Sequence, residues 1–254
     1  MDADLRDRFS GLWTRFFPGV ELPVGFFYTD DPELGQPPPI PTGHRCLIAD
    51  LARARRGHSL RFDPTVLGCS GGRRYLGFGG ELMPGFEYFL SCGITGKLEG
   101  ERYKKTPELV KEHLKHQPPF TAPGRYIVFR RWDRLTADDA PVAMIFFAPP
   151  DVLAGLFTLA NYDETEPNGV IAPFGAGCAS IVDYPHREAQ SSRPRAVLGM
   201  FDVSARPCVG AGELTFTVPW PKFVRMVDNM PDSFLITPSW AKVRNRLRRA
   251  KGKS

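Results

Sequence analysis

Val142-Ala143-Met144-Ile145-Phe146-Phe147 is an apolar run that Pro149-Pro150-Asp151 stops at once. A strand with one wet face alternates polar and apolar residues, whereas a strand covered on both faces has no reason to. The run therefore predicts a central strand in a sheet. The two prolines remove amide donors, so 143–160 cannot continue as one apolar helix through a membrane. Residues 152–162 read as a helix following the break.

The flanking patterns are of both kinds. Leu5, Phe9, Leu12, Trp13 and Phe16 recur at helical spacing until Pro18-Gly19 ends the pattern. Residues 24–28 read as a short strand, and 30–42, with five prolines, as an extended surface loop. Residues 44–56 predict a helix with Leu47, Ile48 and Leu51 on one face and Cys46 one position off that stripe. The stretch 68–100 is rich in loops. Thr106 before Pro107 and Glu108 is a helix start. Strands are expected at 126–129, 196–201 and 214–218, the last leading through Pro219-Trp220-Pro221 into a helix bearing Phe223, Met226, Val227 and Met230. Thr237-Pro238 opens a final helix whose apolar face is Trp240, Val243 and Leu247. Strands and helices mix without strict βαβ alternation. The expectation is an α+β fold, a mixed β-sheet with flanking helices in a single compact domain over 1–254. The 25 glycines and 25 prolines argue against a helical bundle.

Charge is unevenly placed. Seven of the 33 Lys and Arg residues lie from Lys242 onward with no acid among them, so 238–254 reads as a basic C-terminal helix or tail. The remainder is nearly neutral, which argues against a nucleic-acid-binding face spread over the fold. The acidic start Met1-Asp2-Ala3-Asp4 lacks the apolar core of a secretory signal. Five scattered cysteines without close pairs fit reduced thiols rather than a disulfide framework. A cytoplasmic protein without a membrane span is expected.

Gly68-Cys69-Ser70-Gly71-Gly72 places a thiol among residues that leave backbone amides uncovered. Glycines reach left-handed conformations at low cost, and successive inward N–H groups form an anion-binding nest that also favours thiolate over thiol. Two uses follow: Cys69 as a nucleophile flanked by oxyanion donors, or as a thiolate ligand to a metal or cluster. The plain alternative is a tight turn that contains a cysteine. Gly175-Ala176-Gly177-Cys178-Ala179-Ser180 is a second small-residue run with a thiol, but Ser180 stands where a G-x-G-x-x-G fingerprint needs glycine. No C-x-x-C spacing occurs, so any metal site made by Cys46, Cys69 and Cys178 depends wholly on the fold. Arg102 and Tyr103, in the charged run 100–105, and Arg206, in Ser204-Ala205-Arg206, offer an anion clamp or a solvated surface. His113 and His116 lie among charges and read as a solvated helix face.

Taken in order, the motifs resemble a known family. They comprise Arg45-Cys46, Gly68-Cys69-Ser70-Gly71-Gly72, Tyr75-Leu76-Gly77, Phe89-Leu90-Ser91 and Glu101-Arg102-Tyr103. Pro150-Asp151, Leu159-Ala160-Asn161-Tyr162, the run from Pro173 to Cys178, that from Leu214 to Pro219, and Ser233-Phe234-Leu235 complete the set. Together these resemble domain of unknown function (DUF) family 169, the uncharacterised archaeal cysteine-rich (ArCR) family. The resemblance implies no reaction. It implies that Cys46, Cys69 and Cys178 belong to one pattern, with Cys92 and Cys208 outside it.

The resulting expectation is one central pocket. Cys69 with Ser70, Gly71 and Gly72 lines it, Cys46, Gly177 and Cys178 converge on it, and Arg102, Tyr103, Asn161 and Arg206 contribute to ligand binding. The ligand is a small molecule: a redox or metal cofactor held by Cys46, Cys69 and Cys178, iron–sulfur among the options, or an anionic molecule. Two other functions stay open. One is an acyl or amide hydrolase or transferase with Cys69 as nucleophile. The other is a non-catalytic binding or regulatory protein whose basic tail meets an acidic partner.

Overall fold

The apolar run that Pro149 and Pro150 stop forms a strand, Ala143–Ala148, buried at every position. The fold is given by a computed structural model that describes residues 3–251. In chain order its elements are α1 (Ala3–Phe16), β1 (Val24–Thr29), α2 (Leu47–Arg55), β2 (Leu60–Phe62), α3 (Ser70–Tyr75), α4 (Phe86–Phe89), α5 (Pro107–Lys115), β3 (Tyr126–Arg131) and β4 (Ala143–Ala148). They continue with α6 (Pro150–Ala160), β5 (Val170–Ile171), α7 (Tyr184–Ala189), β6 (Ala196–Gly199), β7 (Leu214–Pro219), α8 (Trp220–Asn229) and α9 (Pro238–Lys251). Residues 1–2 and 252–254, the ends of the acidic start and of the basic tail, lie outside the described residues.

Among the described residues the strands form one sheet in the order β2-β3-β1-β4-β7-β6-β5. Neighbours are antiparallel except β5 and β6. The central strand β4 lies between β1 and β7, with Val24 opposite Ile145 and Phe216 opposite Phe146. The protein is a single compact α+β domain with a mixed open sheet.

Alternation along the strands separates two cores. Met144, Phe146 and Ala148 of β4 join Val128, Phe216 and Val218 in one cluster, closed by Phe9 and Trp13 of α1, Leu156 of α6, Phe223 of α8 and Trp240 of α9. Ala143, Ile145 and Phe147 join Phe26, Ile127 and Phe129 in the other, closed by Leu47, Ile48 and Leu51 of α2, Tyr75 of α3, and Cys178, Ala179 and Ile181. The two faces of one strand therefore serve two cores.

The first core is aromatic. Trp13 stacks on Phe17 at 4.3 Å between centroids, and Phe17 meets Trp240 at 5.1 Å. The Trp240 Nε1–H donates to the Phe16 carbonyl at 3.0 Å, which ties α9 to the end of α1. A Cβ on Gly155 would lie 2.5 Å from the Trp240 ring, so α6 needs glycine where α9 crosses it. The basic last helix is thus packed through Trp240 and Leu247, with Arg246 paired to Asp151. Among the described residues no helix is long and apolar enough to cross a membrane.

Five short elements escape the sequence patterns. β2, α3, α4, β5 and α7 have two to six residues each, too few to show a period. The strand expected at 196–201 stops at Gly199, because Met200 takes a left-handed conformation, φ 67°, that leaves the ladder.

One buried ion pair fixes the aromatic side of the sheet. Lys222, 1% exposed, donates to Glu164, 7% exposed, at 2.7 Å, and Arg193 and Arg225 bond the same carboxylate. The Lys222 hydrogen bond is the chief reason that the Glu164 carboxyl is held down at about 2. That stabilisation is present above about pH 4.5 and is lost as pH falls toward about 2. Glu164→Gln leaves a buried ammonium without its counter-charge. In urea unfolding at neutral pH it is expected to lose about 3 kcal/mol, and the gap from the parent should close as the pH is lowered to about 2. A gap that persists there would show that the carboxylate charge is not its source.

Candidate functional site

Three cysteines stand at the starts of three helical segments on the second face of the sheet. Cys46 precedes α2 and Cys69 precedes α3. Cys178 precedes a π-helical turn, Ala179–Asp183, which runs directly into α7. A helix start presents unpaired N–H groups and the positive end of the peptide dipoles. All three starts open on the core that contains Ile48, Leu67, Tyr75 and Cys178, with Cys46 packed against its edge.

Cys69 shows how the sulfur is held. Its Sγ accepts the Gly72 N–H at 3.1 Å, and the amide of Leu47, at the start of α2, also favours its charged form. Glycine makes this approach possible at two places. A Cβ on Gly72 would lie 3.1 Å from the Cys69 sulfur, and one on Gly68 would lie 2.8 Å from both the Arg45 nitrogen and its Cβ. The Arg45 N–H donates to the Gly68 carbonyl at 3.3 Å, so the segments that lead into Cys46 and Cys69 run side by side. None of Gly68, Gly71 and Gly72 is left-handed; 70–75 is a helix whose amides point at the preceding thiol. The expected loop nest is instead a helix start capped by sulfur.

The Cys178 side carries two backbone irregularities. The π-turn follows it immediately, and Met200 is left-handed and buried. Both meet at Gly177, whose missing Cβ would sit 3.1 Å from the Met200 sulfur and 3.5 Å from Ile48 of α2. Asp202 accepts the Gly177 N–H at 2.9 Å, and Ser204 N–H donates to both Asp202 and the Tyr103 hydroxyl. Tyr103 is thereby joined to the loop that holds Gly177.

A fourth thiol, Cys208 in the short turn Arg206–Cys208, packs against the edge of the same core as Cys46. Burial pushes the Cys69 thiol up, with Cys46 adding to it; burial also pushes Cys178 well up, with Cys69 and Cys46 adding. Cys208 is pushed up to about 11, by burial first and by Cys46 second. The sulfurs thus lie close enough for the charge on one to oppose the charge on the next. The sequence favoured a thiolate at Cys69; burial and the neighbouring sulfurs outweigh the amide donors there, so the thiol form is favoured. Among the described residues no group of three or more His, Cys, Asp and Glu side chains is drawn together as a single metal ion requires.

Other expected site residues have different surroundings. Ser70 is exposed on the first turn of α3, and Gly71 has open space beyond the Tyr75 ring. The Arg206 guanidinium bonds the Gly210, Ala211 and Glu213 carbonyls, which fixes the loop after Cys208. Asn161 ends α6 on the aromatic side of the sheet, where it bonds the Phe157 carbonyl and the Gly169 N–H. Arg102, left-handed at φ 57°, lines a separate surface hollow with Cys92, Ile94 and Lys97. These contacts place Asn161 across the sheet from Cys178 and Arg102 at the surface hollow.

The close approach at Gly68 is testable. Gly68→Ala forces a methyl against Arg45 and is expected to cost about 1–3 kcal/mol in chemical denaturation. Gly71→Ala, with its nearest neighbour 3.9 Å away in a helix, is expected to be neutral or slightly stabilising. Equal effects at the two positions would contradict the packing described.

The family model of DUF169, described as uncharacterised ArCR, matches residues 20–229. No curated protein and no solved structure matches the chain. The matched span holds every strand of the sheet and the four grouped cysteines, and leaves out α1 and α9. With most of its length inside that match, the chain belongs to the DUF169 family.

Proposed function

We propose that Cys46, Cys69 and Cys178 bind a thiolate-held redox or metal cofactor, with an iron–sulfur cluster the first candidate. The observation that supports this reading is the placing of three thiols at helix starts on one face of the sheet, with the Gly72 amide hydrogen aimed at the Cys69 sulfur. Backbone N–H donors to thiolate sulfur tune iron–sulfur sites, and positive helix ends offset the charge of a cluster. The raised Cys69 and Cys178 thiols fit as well. Thiols that oppose one another's ionisation release their protons readily once a cation sits among them.

The same contacts weigh between the other ligands. A free anion at the start of α3 would need the Gly72 amide, which already bonds the Cys69 sulfur. A single tetrahedral ion, with bonds of about 2.3 Å, would draw its sulfurs together, and no such group occurs among the described residues; a cluster of several atoms spaces its ligands farther apart. Chemistry beyond electron or ligand binding is not assigned to the site. The nucleophile reading fares worse, because burial holds Cys69 as a thiol.

Anaerobic purification followed by iron, zinc, sulfide and visible-spectrum measurement tests the proposal. Iron and sulfide with a brown chromophore are expected, lost in Cys69→Ala and Cys178→Ala and kept in Cys92→Ala. Protein that stays colourless and sulfide-free after reconstitution with ferrous iron and sulfide would refute it. For the nucleophile alternative, metal-free protein is labelled with iodoacetamide near neutral pH. Slower reaction at Cys69 than at the exposed Cys92 is expected; preferential labelling of Cys69 would revive that alternative.

A further inference from the structure

We propose that the loop 92–102 binds a sugar phosphate in the hollow that it encloses, a site that shares no residue with the grouped thiols. The hollow has a volume of about 490 Å³, within the roughly 300–1,000 Å³ of small-molecule sites. A chain crossing builds its neck. Gly93 is left-handed, φ 74°, and a Cβ on it would lie 2.6 Å from the Gly100 nitrogen, so glycine is what lets the two ends of the loop pass. Beyond the crossing the Ile94 N–H donates to the Leu98 carbonyl at 2.7 Å, and the Leu98 N–H returns to the Ile94 carbonyl at 2.9 Å. The backbone itself thus holds the loop in shape.

The groups in the hollow favour a phosphate. Lys97 and Arg102 line it, and among the described residues neither cation has an ion pair or a hydrogen-bond partner. The Thr95 and Gly96 N–H groups have no acceptor there either. Arg102 is left-handed, φ 57°, a costly conformation for arginine that glycine would adopt freely. Its N–H bond to the Ser91 carbonyl at 2.9 Å, and that of Glu101 to Phe89 at 2.7 Å, hold it so. A guanidinium offers a planar fork to two phosphate oxygens, and an ammonium and free amides supply further donors. Glu99 selects the rest of the ligand. Its carboxylate lines the same hollow without a partner of its own; it opposes a bare anion and accepts hydroxyl protons. A phosphate carried on a polyhydroxy skeleton meets both demands.

Cys92, exposed and lining the hollow, reports its occupancy. The full chain is treated with iodoacetamide at increasing ribose 5-phosphate, and alkylation of Cys92 is followed by mass spectrometry of its peptide. Saturable protection is expected from ribose 5-phosphate and none from ribose. Inorganic phosphate should protect only at concentrations about tenfold higher. Lys97→Ala and Arg102→Gly should each raise the half-protecting concentration of ribose 5-phosphate about tenfold. Arg102→Gly also relieves the left-handed strain, so its urea midpoint should equal or exceed the parent's, which separates lost binding from lost folding. Glu99→Ala should weaken protection by ribose 5-phosphate and leave that by inorganic phosphate as strong or stronger. Absence of protection, equal protection by ribose, or full retention in Arg102→Gly would overturn the proposal. Equal protection by inorganic phosphate would overturn the assignment of a sugar.

Discussion

Burial of β4 on both faces is the constraint on which the rest depends. A strand so placed has no side left for water, so each neighbouring layer must be complete. On one side, Met144, Phe146 and Ala148 meet the aromatic core of α1, α6, α8 and α9. On the other, Ala143, Ile145 and Phe147 meet shorter helices, and it is there that sulfur gathers. The long helices close their layer through bulk, as where Trp240 fills the space over Gly155. The short ones bring their starts together instead, and a helix start carries chemistry that a helix flank does not.

The identity of the residues at those starts is informative. Oxygen side chains cap helices well, and the chain uses them elsewhere: Thr106 accepts the Leu109 N–H and Ser233 the Leu235 N–H. Sulfur is a weak acceptor by comparison. Cys69 nonetheless caps α3, while Cys46 and Cys178 make no side-chain cap at all. Stability alone would favour Ser, Thr or Asp at these three places. The nearby π-turn and the left-handed Met200 add backbone cost in the same small region.

Most of the fold was legible in the sequence because its larger elements carry long periods. Leu5, Phe9, Trp13 and Phe16 mark α1 by spacing alone, and all four are buried. Thr106-Pro107 marks the start of α5 by chemistry. The site was legible only in part. Gly68-Cys69-Ser70-Gly71-Gly72 signalled a constrained thiol, yet the glycines serve close approach to Arg45 and to the cysteine's own sulfur rather than left-handed turns. Cys208 had no local signal: it reaches the core that Cys46 also packs against from 162 residues along the chain, in a turn fixed by Arg206. Asp202 and Met200 were equally silent, since a lone residue in a loop shows nothing of the turn it will meet. Asn161 was carried by its motif and not by chemistry of its own, and its bonds to Phe157 and Gly169 are those of a helix end.

The sulfurs gather where charge is least welcome. Cys178 is buried in the second core, and Cys46 and Cys208 pack against the edge of the same core. Burial is the first cause that raises the Cys69 and Cys178 thiols, and the neighbouring sulfurs add to it. A negative charge on one of them is therefore opposed twice, by the apolar layer and by the next sulfur. The short amide bond from Gly72 to Cys69 offsets only part of that cost.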